Sequence, residues 1–349
     1  MSGQQLRESG RFLLLCAGLF SAVLVVKFAY SARWCPTTQG INGLLQMRHV
    51  DYLFIGSSRT RQGYDMRAIE RATGKSAYLL AYDGLQPHLA VKLLEYLLDR
   101  SQPTIGLIIL EAYPYIAMRK PSVEDSRIFY NAPAALKLEL LKTWQQTGMS
   151  GTDMYALSVA EGNEVLLTAF CTRKLIERRT YHGGYVDKFT PGMPRRRFQQ
   201  IQEPEGVRQS PGHLTPLETQ SLSSMFTLAD QHGVPLIMVE PPVPQAIAQG
   251  AVYTAGRAEL QDLAAMAQIP YCTFSDRLFN PCDNSLFTDP LHTSSKGRSL
   301  LSRRIIPLLI AAEKSPTLVK SYYGVAAQTA IPPTAPLPHR HAPIAFIRP

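Results

Sequence analysis

The sequence predicts an α/β fold in which a parallel sheet lies between two layers of helices. Short apolar runs that suit buried strands alternate with segments of helical periodicity between residues 51 and 314, and such alternation is typical of three-layer α/β domains. A Gly-Ser-Ser turn follows the first strand, and an Asp-x-x-His segment precedes the last helix. At 349 residues and 45% hydrophobic, the chain has enough apolar material to form the core of one such domain.

The predicted elements alternate along the chain, interrupted by one irregular region. The third apolar run is almost wholly aliphatic, which indicates a strand that is buried on both faces. Residues 117–213 are read as an irregular, basic insertion with helical patches and a Gly183-Gly184 turn close to the active-site mouth. The strands are expected at 51–55, 76–81, 105–110, 235–239 and 270–274; the helices at 65–73, 87–99, 216–232, 255–267 and 296–313; and the helical patches at 132–146 and 163–178.

The N-terminus predicts a membrane anchor. Residues 12–30 are apolar apart from Ser21 and Lys27, and about 20 apolar residues suffice for a helix to cross a bilayer. The basic residues Arg7 and Arg11 precede this run, which favours a cytoplasmic N-terminus (1–11) and an extracytoplasmic body. A cleaved signal peptide is the alternative interpretation. Residues 31–50 are then a linker to the domain at 51–314.

The net charge and the cysteines indicate which binding partners and which redox compartment suit the protein. The net charge of +9 favours phospholipid headgroups or acidic glycans, whereas no recognition motif indicates nucleic acid. In an oxidising compartment Cys272 and Cys282 are the favoured disulfide pair, although free buried cysteines fit equally well. No glycine-rich phosphate loop or His/Cys cluster is present, so neither a metal nor another cofactor is predicted. The proline-rich residues 315–349 are predicted to be mostly disordered.

The two polar motifs together suit nucleophilic catalysis by serine. Ser58 stands at a strand-to-helix turn, where a hydroxyl is exposed and a backbone N–H points towards a developing oxyanion. His292 would serve as the general base, and Asp289 would orient its imidazole. Ser57 is the alternative nucleophile, and Asp289 is alternatively only a helix cap beside a surface histidine.

These motifs resemble those of the SGNH (GDSL-like) hydrolase superfamily. In the segment Ile55-Gly-Ser-Ser, Ser57 takes the place of the family's aspartate and Ser58 that of its nucleophile. The Gly-Ser-Ser form resembles the membrane-anchored branch, which includes the alginate O-acetylation and teichoic-acid D-alanylation proteins. The resemblance implies an SGNH-like fold, and an oxyanion hole formed by the N–H groups of Ser58 and Gly84.

One departure from the family concerns the third oxyanion donor. The family's asparagine after the third strand is missing, and the segment reads Leu110-Glu-Ala-Tyr. Tyr113 is a substitute donor, unless the hole has two members. Glu111 alternatively faces the pocket, where its charge would oppose an oxyanion.

The resemblance and the anchor together imply a membrane-anchored acyltransferase of the bacterial inner membrane. It would O-acetylate a cell-surface polysaccharide through an acylated Ser58, with a multi-spanning membrane O-acyltransferase as a further partner. An esterase of the same fold and a non-catalytic envelope assembly protein are the alternatives. Arg59, Arg195 and Arg196 are candidate contacts to an anionic polymer. The simpler interpretation is an ion pair with a helix carboxylate for Arg59 and a solvated basic face for the other two.

Overall fold

The computed structural model describes residues 9–22, 40–125, 127–130, 132–146, 181–186, 189–202, 212–274 and 278–314. Seven strands lie in these residues: β1 (His49–Gly56), β2 (Ala77–Ala81), β3 (Thr104–Glu111), β4 (Tyr181–His182), β5 (Tyr185–Val186), β6 (Leu236–Val239) and β7 (Tyr271–Cys272). The helices up to the hairpin are α1 (9–22), α2 (Gly40–Leu45), α3 (Ser58–Gly63), α4 (Met66–Thr73), α5 (Pro87–Leu98), α6 (Pro114–Met118), α7 (Arg127–Tyr130) and α8 (Ala134–Gln146). Those after it are α9 (Arg195–Phe198), α10 (Pro216–Gln231), α11 (Gln245–Ala248), α12 (Ala251–Met266) and α13 (Ser295–Lys314), with a 3₁₀ turn at Asn284–Leu286.

The main sheet has five strands in the order β2-β1-β3-β6-β7, and every neighbouring pair is parallel. The carboxyl ends of all five strands therefore point to one edge of the sheet, where α/β folds place their ligands. Each predicted strand overlaps an observed strand, and each helix predicted outside the insertion overlaps an observed helix. The predicted α/β class with a parallel sheet is thus confirmed.

Apolar side chains from alternating strand positions build a core on each face of the sheet. On β1, Leu53 and Ile55 face the cluster that contains α5, α8 and α10, while Tyr52 and Phe54 face α4 and α13. All four side chains are fully buried. Their burial on opposite faces explains why the β1 sequence is continuously apolar.

Helix α2 packs against this core, although its residues were expected to belong to a linker. Ile41 and Leu44 are fully buried. The backbone N–H of Ile41 donates to the Tyr82 hydroxyl at 3.1 Å, and the Tyr78 hydroxyl donates to the Gly40 carbonyl at 2.7 Å. Residues 40–45 therefore belong to the packed domain.

The N-terminal helix α1 covers the first part of the predicted membrane span. Its apolar side chains face solvent, with Phe12 69% and Leu14 75% exposed. Within the described ranges, the structure contains no helix that is both long enough and apolar enough to cross a membrane. The predicted span at 12–30 continues beyond residue 22 into residues outside those ranges.

The predicted disulfide between Cys272 and Cys282 is absent, because both thiols are free. Cys272 is buried on β7, while the exposed Cys282 donates to the Gln245 side-chain oxygen at 2.6 Å. The helical patch predicted at 163–178, the tail from residue 315, Cys35 and Cys171 all lie outside the described residues.

A glycine turn within the insertion packs on the free edge of β2. Gly183 and Gly184 have φ values of +51° and +74°, which favour glycine because L side chains rarely adopt them. The Gly183 carbonyl accepts the Leu79 N–H at 2.7 Å. The predicted sharp turn is present, but its tip lies against Ala77 and Leu79 rather than beyond the carboxyl end of β2.

Candidate active site

The strand-to-helix turn after β1 is tightly packed. Ser57 has an extended backbone, and its hydroxyl caps α3 by accepting the Arg59 N–H at 3.2 Å. Ser58 begins that helix. A Cβ on Gly56 would lie 2.2 Å from the Thr60 hydroxyl and 2.3 Å from the Glu111 carboxylate. Only glycine permits these two side chains to approach the turn so closely.

Glu111, the last residue of β3, forms hydrogen bonds with this turn. Its carboxylate accepts hydrogen bonds from the Ser57 N–H at 2.6 Å, the Ser57 hydroxyl at 2.8 Å and the Thr60 hydroxyl at 2.5 Å. The carboxylate is therefore directed at the base of the turn. Because Ser57 is buried and its hydroxyl is occupied in this way, the geometry favours Ser58 over Ser57 as the nucleophile.

Ser58, His292 and Asp289 form a continuous hydrogen-bonded chain. Ser58 Oγ lies 2.7 Å from His292 Nε2, and His292 Nδ1 lies 2.8 Å from the nearer Asp289 oxygen. Asp289 Oδ1 also accepts the backbone N–H groups of Leu291 and His292 at 2.8 and 2.9 Å. Asp289 thus closes the turn at residues 289–292 and also contacts the imidazole. It is not a helix cap, because α13 begins only at Ser295.

The charge of Asp289 is stabilised where it stands. Burial alone would raise the pKa of its carboxyl group, but the hydrogen bond and charge of His292 and the two backbone N–H groups outweigh it. The pKa consequently lies below its ordinary value. Asp289 is an anion at neutral pH and can stabilise a protonated His292.

The loop that carries His292 is fixed to its surroundings on two sides. Thr288 N–H donates to the His292 carbonyl at 2.9 Å, which closes the loop on itself. The Thr293 hydroxyl donates to the Gln62 carbonyl of α3 at 3.0 Å. This second bond joins the loop directly to the helix that begins with Ser58.

Gly84 lies in the turn that follows β2. Its φ of +62° requires glycine, and a Cβ there would lie 2.3 Å from the Glu124 carboxylate. The Tyr82 N–H donates to the Gly56 carbonyl at 3.2 Å, which places this turn beside the turn of Ser58. Because Ser58 is the first residue of a helix, its N–H has no intrahelical acceptor. Both predicted oxyanion donors therefore lie at one edge of the sheet.

Arg59 occupies a different place from the predicted substrate contact. Its side chain is buried, with the residue only 3% exposed, and Nη2 donates to the carbonyls of Pro241 and Pro242 at 2.8 and 3.0 Å. Its guanidinium lies 4.0 Å from the centre of the Tyr113 ring. Arg59 therefore connects α3 to the loop after β6. Because the side chain lies in the interior, a polymer substrate cannot reach it.

Tyr113, the predicted third oxyanion donor, packs against the Arg59 guanidinium. Its hydroxyl is buried and has no hydrogen-bond partner among the residues that the structure describes. Burial raises the pKa of Tyr113 to about 12. The hydroxyl therefore stays protonated, and Tyr113 remains a predicted third donor beside Ser58 and Gly84.

Arg195 and Arg196 lie on α9, on the exposed surface next to the His292 loop. The Met193 N–H donates to the Phe287 carbonyl at 2.6 Å, which joins the α9 segment to that loop. Arg195 and Phe198 line a groove of about 480 Å³ together with Gln245 and Asn284. Across the described parts of the chain, no carboxylate pairs with an arginine of α9.

Among the residues that the structure describes, no three His, Cys, Asp or Glu side chains are grouped as a metal site requires.

Comparison with known proteins gives a weak structural likeness only. No protein-family model matches the chain, and no curated protein is similar enough in sequence to match it. The chain is similar to the lipase/acylhydrolase from Enterococcus faecalis, at 10% identity and a TM-score of 0.37, over 76% of this chain and 96% of that one. It is also similar to Axe2, an acetylxylan esterase from Geobacillus stearothermophilus, at 11% identity and a TM-score of 0.34, over 74% and 94%. Likeness of this size carries no argument about activity, so the functional case rests on the geometry of the site itself.

Proposed function

We propose that the chain is a serine-dependent acyl-transfer enzyme with Ser58 as its nucleophile. The observation that carries this proposal is the chain of contacts at 2.7 and 2.8 Å from Ser58 through His292 to Asp289. Ser58 follows the first strand of the sheet, and His292, 234 positions later, lies with Asp289 in the loop before the last helix. Ester cleavage through a covalent intermediate is the chemistry that such a constellation supports.

In the first half of the reaction, Ser58 Oγ attacks the carbonyl carbon of an acyl ester while His292 Nε2 takes its proton. The carbonyl oxygen becomes negative and accepts hydrogen bonds from the N–H groups of Ser58 and Gly84. Each such donor typically stabilises the transition state by about 3 kcal/mol. His292 then gives its proton to the departing oxygen, which leaves an acyl group on Ser58.

In the second half, a hydroxyl compound gives its proton to His292 and attacks the acyl-Ser58 carbonyl. With water as the acceptor the enzyme is an esterase. With a sugar hydroxyl it is an O-acyltransferase. We favour O-acetylation of a cell-surface polysaccharide, which is what the sequence resemblance implies, and retain the esterase as the alternative.

The experiment that tests this function uses the full chain in detergent with p-nitrophenyl acetate. We expect release of nitrophenolate and a mass increase of one acetyl group on the Ser58 peptide. An added oligosaccharide that becomes acetylated identifies a transferase, whereas acetate release unaffected by sugars identifies an esterase. If no acyl-enzyme forms and no ester is turned over, the remaining hypothesis is a non-catalytic envelope protein.

We further propose that residues 12–30 anchor the enzyme in the bacterial inner membrane, with the body outside the cytoplasm beside a multi-spanning O-acyltransferase. The run length and the basic residues Arg7 and Arg11 support this topology. A C-terminal alkaline phosphatase fusion is expected to be active. A C-terminal fluorescent protein that matures only in the cytoplasm is expected to be dark. The opposite pair of results would contradict the assigned compartment.

The basic helix α9 supports an anionic acceptor. We predict that the double variant Arg195→Glu/Arg196→Glu raises the KM for an acidic oligosaccharide at least about tenfold at low salt, because two attractive charges become repulsive. The KM for p-nitrophenyl acetate should stay within about twofold of the wild-type value. Added salt should narrow the difference, since exposed charges are screened. Equal KM values for acidic and neutral oligosaccharides in both proteins would exclude this acceptor site.

A further inference from the structure

An ion pair joins the helix of Ser58 to the turn of Gly84. Arg61 lies one turn after Ser58 on α3, and its Nη2 donates to both carboxylate oxygens of Asp83 at 2.5 and 2.6 Å. Asp83 immediately precedes Gly84 in the chain. The pair therefore connects the two backbone segments that carry the two proposed oxyanion donors.

The turn of Gly84 is also held from its other side. The Asp83 N–H donates to Asp125 at 2.8 Å, and Arg127 bridges Asp125 and Asp83 with contacts of 2.7 and 3.2 Å. Three residues further on, the Gln86 side chain is buried and accepts the Ser122 N–H at 2.6 Å. Its amide nitrogen donates to three carbonyls of the same segment, those of Ile116, Arg119 and Lys120.

We propose that Arg61 and Asp83 are positioning residues that set the separation of the Ser58 and Gly84 N–H groups. This inference rests on the proposed function, since it concerns the geometry of the same oxyanion hole. The Gly84 turn follows Ala81, the last residue of β2, so the hydrogen bonds between β2 and β1 do not determine the position of Gly84. Oxyanion donors lose their effect when they are displaced by a fraction of an ångström.

The pair is poorly suited to a purely stabilising role. The side chains of Arg61 and Asp83 are 24% and 39% exposed, so water partly screens their attraction and reduces what the pair adds to folding. Arg127 places a second positive charge next to the same carboxylate. The rate of acylation should therefore respond to Arg61 and Asp83 far more than the free energy of unfolding does.

The test compares Asp83→Asn, Arg61→Gln, Arg61→Lys and the double variant Asp83→Asn/Arg61→Gln with wild type. Glu95→Gln is the matched control, because Glu95 forms an ion pair with Lys92 at 2.7 Å and is 36% exposed, but lies away from the turn on α5. With p-nitrophenyl acetate we expect kcat to fall about tenfold or more in Asp83→Asn and Arg61→Gln, with KM within about twofold. Arg61→Lys should retain more activity, and the double variant should be no worse than the worse single variant.

A second measurement separates positioning from general loss of structure. Ser58 is inactivated by phosphorylation with a matched pair of reagents, a dialkyl aryl phosphate (P=O) and the corresponding thiophosphate (P=S), each of which loses its aryl oxide group. Only the phosphoryl oxygen is a strong acceptor for the two N–H groups, so the ratio of P=O to P=S rates reports the oxyanion hole. This ratio should fall at least about fivefold in Asp83→Asn and stay unchanged in Glu95→Gln. Melting temperatures should remain within a few degrees of wild type.

Each outcome bears on the proposal. An unchanged rate ratio in Asp83→Asn and Arg61→Gln would overturn it, even if turnover fell. A loss of turnover equal to the loss of folded protein would assign the pair a structural role instead. If wild type itself were not labelled at Ser58, the proposed function would fail, and this inference with it. Labelled wild type with unaffected variants would remove the inference alone.

Discussion

Ser58→Ala is expected to abolish formation of the acyl-enzyme. Alanine has no nucleophile, so His292 loses the only hydroxyl that lies 2.7 Å from its Nε2 among the described contacts. Turnover of p-nitrophenyl acetate should fall by about a thousandfold or more, which is typical when a member of a catalytic unit is removed. The fold should be retained, because Ser58 contributes no hydrogen bond to the sheet. Kinetics, intact-protein mass and circular dichroism test the three expectations.

Two control variants sharpen this prediction. Ser57→Ala removes the hydroxyl that donates to Glu111 and should weaken turnover only partly, because Ser58 stays in place. Ser223→Ala removes a hydroxyl bonded to the Thr219 carbonyl on α10 and should leave turnover unchanged. Full activity in Ser58→Ala together with complete loss in Ser57→Ala would move the nucleophile by one residue. Full activity in both would remove the enzyme hypothesis.

Glu111→Gln is expected to reduce both stability and turnover. The amide replaces one carboxylate oxygen with an NH₂ group, which faces donors from Ser57 or Thr60 and cannot accept from them. A buried donor left without an acceptor costs about 1–3 kcal/mol, and the loss at the turn of Ser58 should lower kcat at least about tenfold. Denaturant unfolding and steady-state kinetics on the same samples measure the two effects.

Glu259→Gln is the matched control for Glu111→Gln. Glu259 also accepts a backbone N–H, that of Leu214 at 2.7 Å, and it pairs with His213 on the surface away from the site. This variant should lose some stability and keep its turnover at temperatures where it is folded. If Glu111→Gln kept wild-type kcat under the same conditions, the role of Glu111 in holding the Ser58 turn would be excluded.

Much of the fold and part of the site followed from local sequence patterns. The sequence of β3 is a continuous aliphatic run, as expected for a strand that is buried on both faces. The sequence of α5 has apolar residues at helical spacing, as expected for a helix that buries one face. The meeting of Ser58 with His292 followed from the order of the elements. Both residues stand at the carboxyl edge of a parallel sheet, so the topology alone brings them together.

Other features depend on contacts between distant segments and leave no local pattern. The sequence places Arg59 next to the nucleophile, which predicts either a substrate contact or an ion pair with a helix carboxylate. Its actual acceptors are the Pro241 and Pro242 carbonyls, 182 and 183 positions away. For Glu111, one prediction from the sequence is an unfavourable charge that faces the pocket. In the structure the Glu111 carboxylate is directed at the turn of Ser58 instead. It fits there because Gly56 has no side chain, and a Cβ at that position would overlap the carboxylate.

The hairpin of β4 and β5 has a consequence for how molecules of this protein meet one another. Strand β2 ends the sheet on one side, and an unpaired outer strand offers hydrogen bonds to any extended chain, which favours aggregation. The Gly183 carbonyl already takes the Leu79 N–H, and both glycines of the turn press against the β2 backbone. A segment that interrupts the domain in sequence thus occupies part of this edge and leaves fewer backbone groups open to strand pairing between two copies.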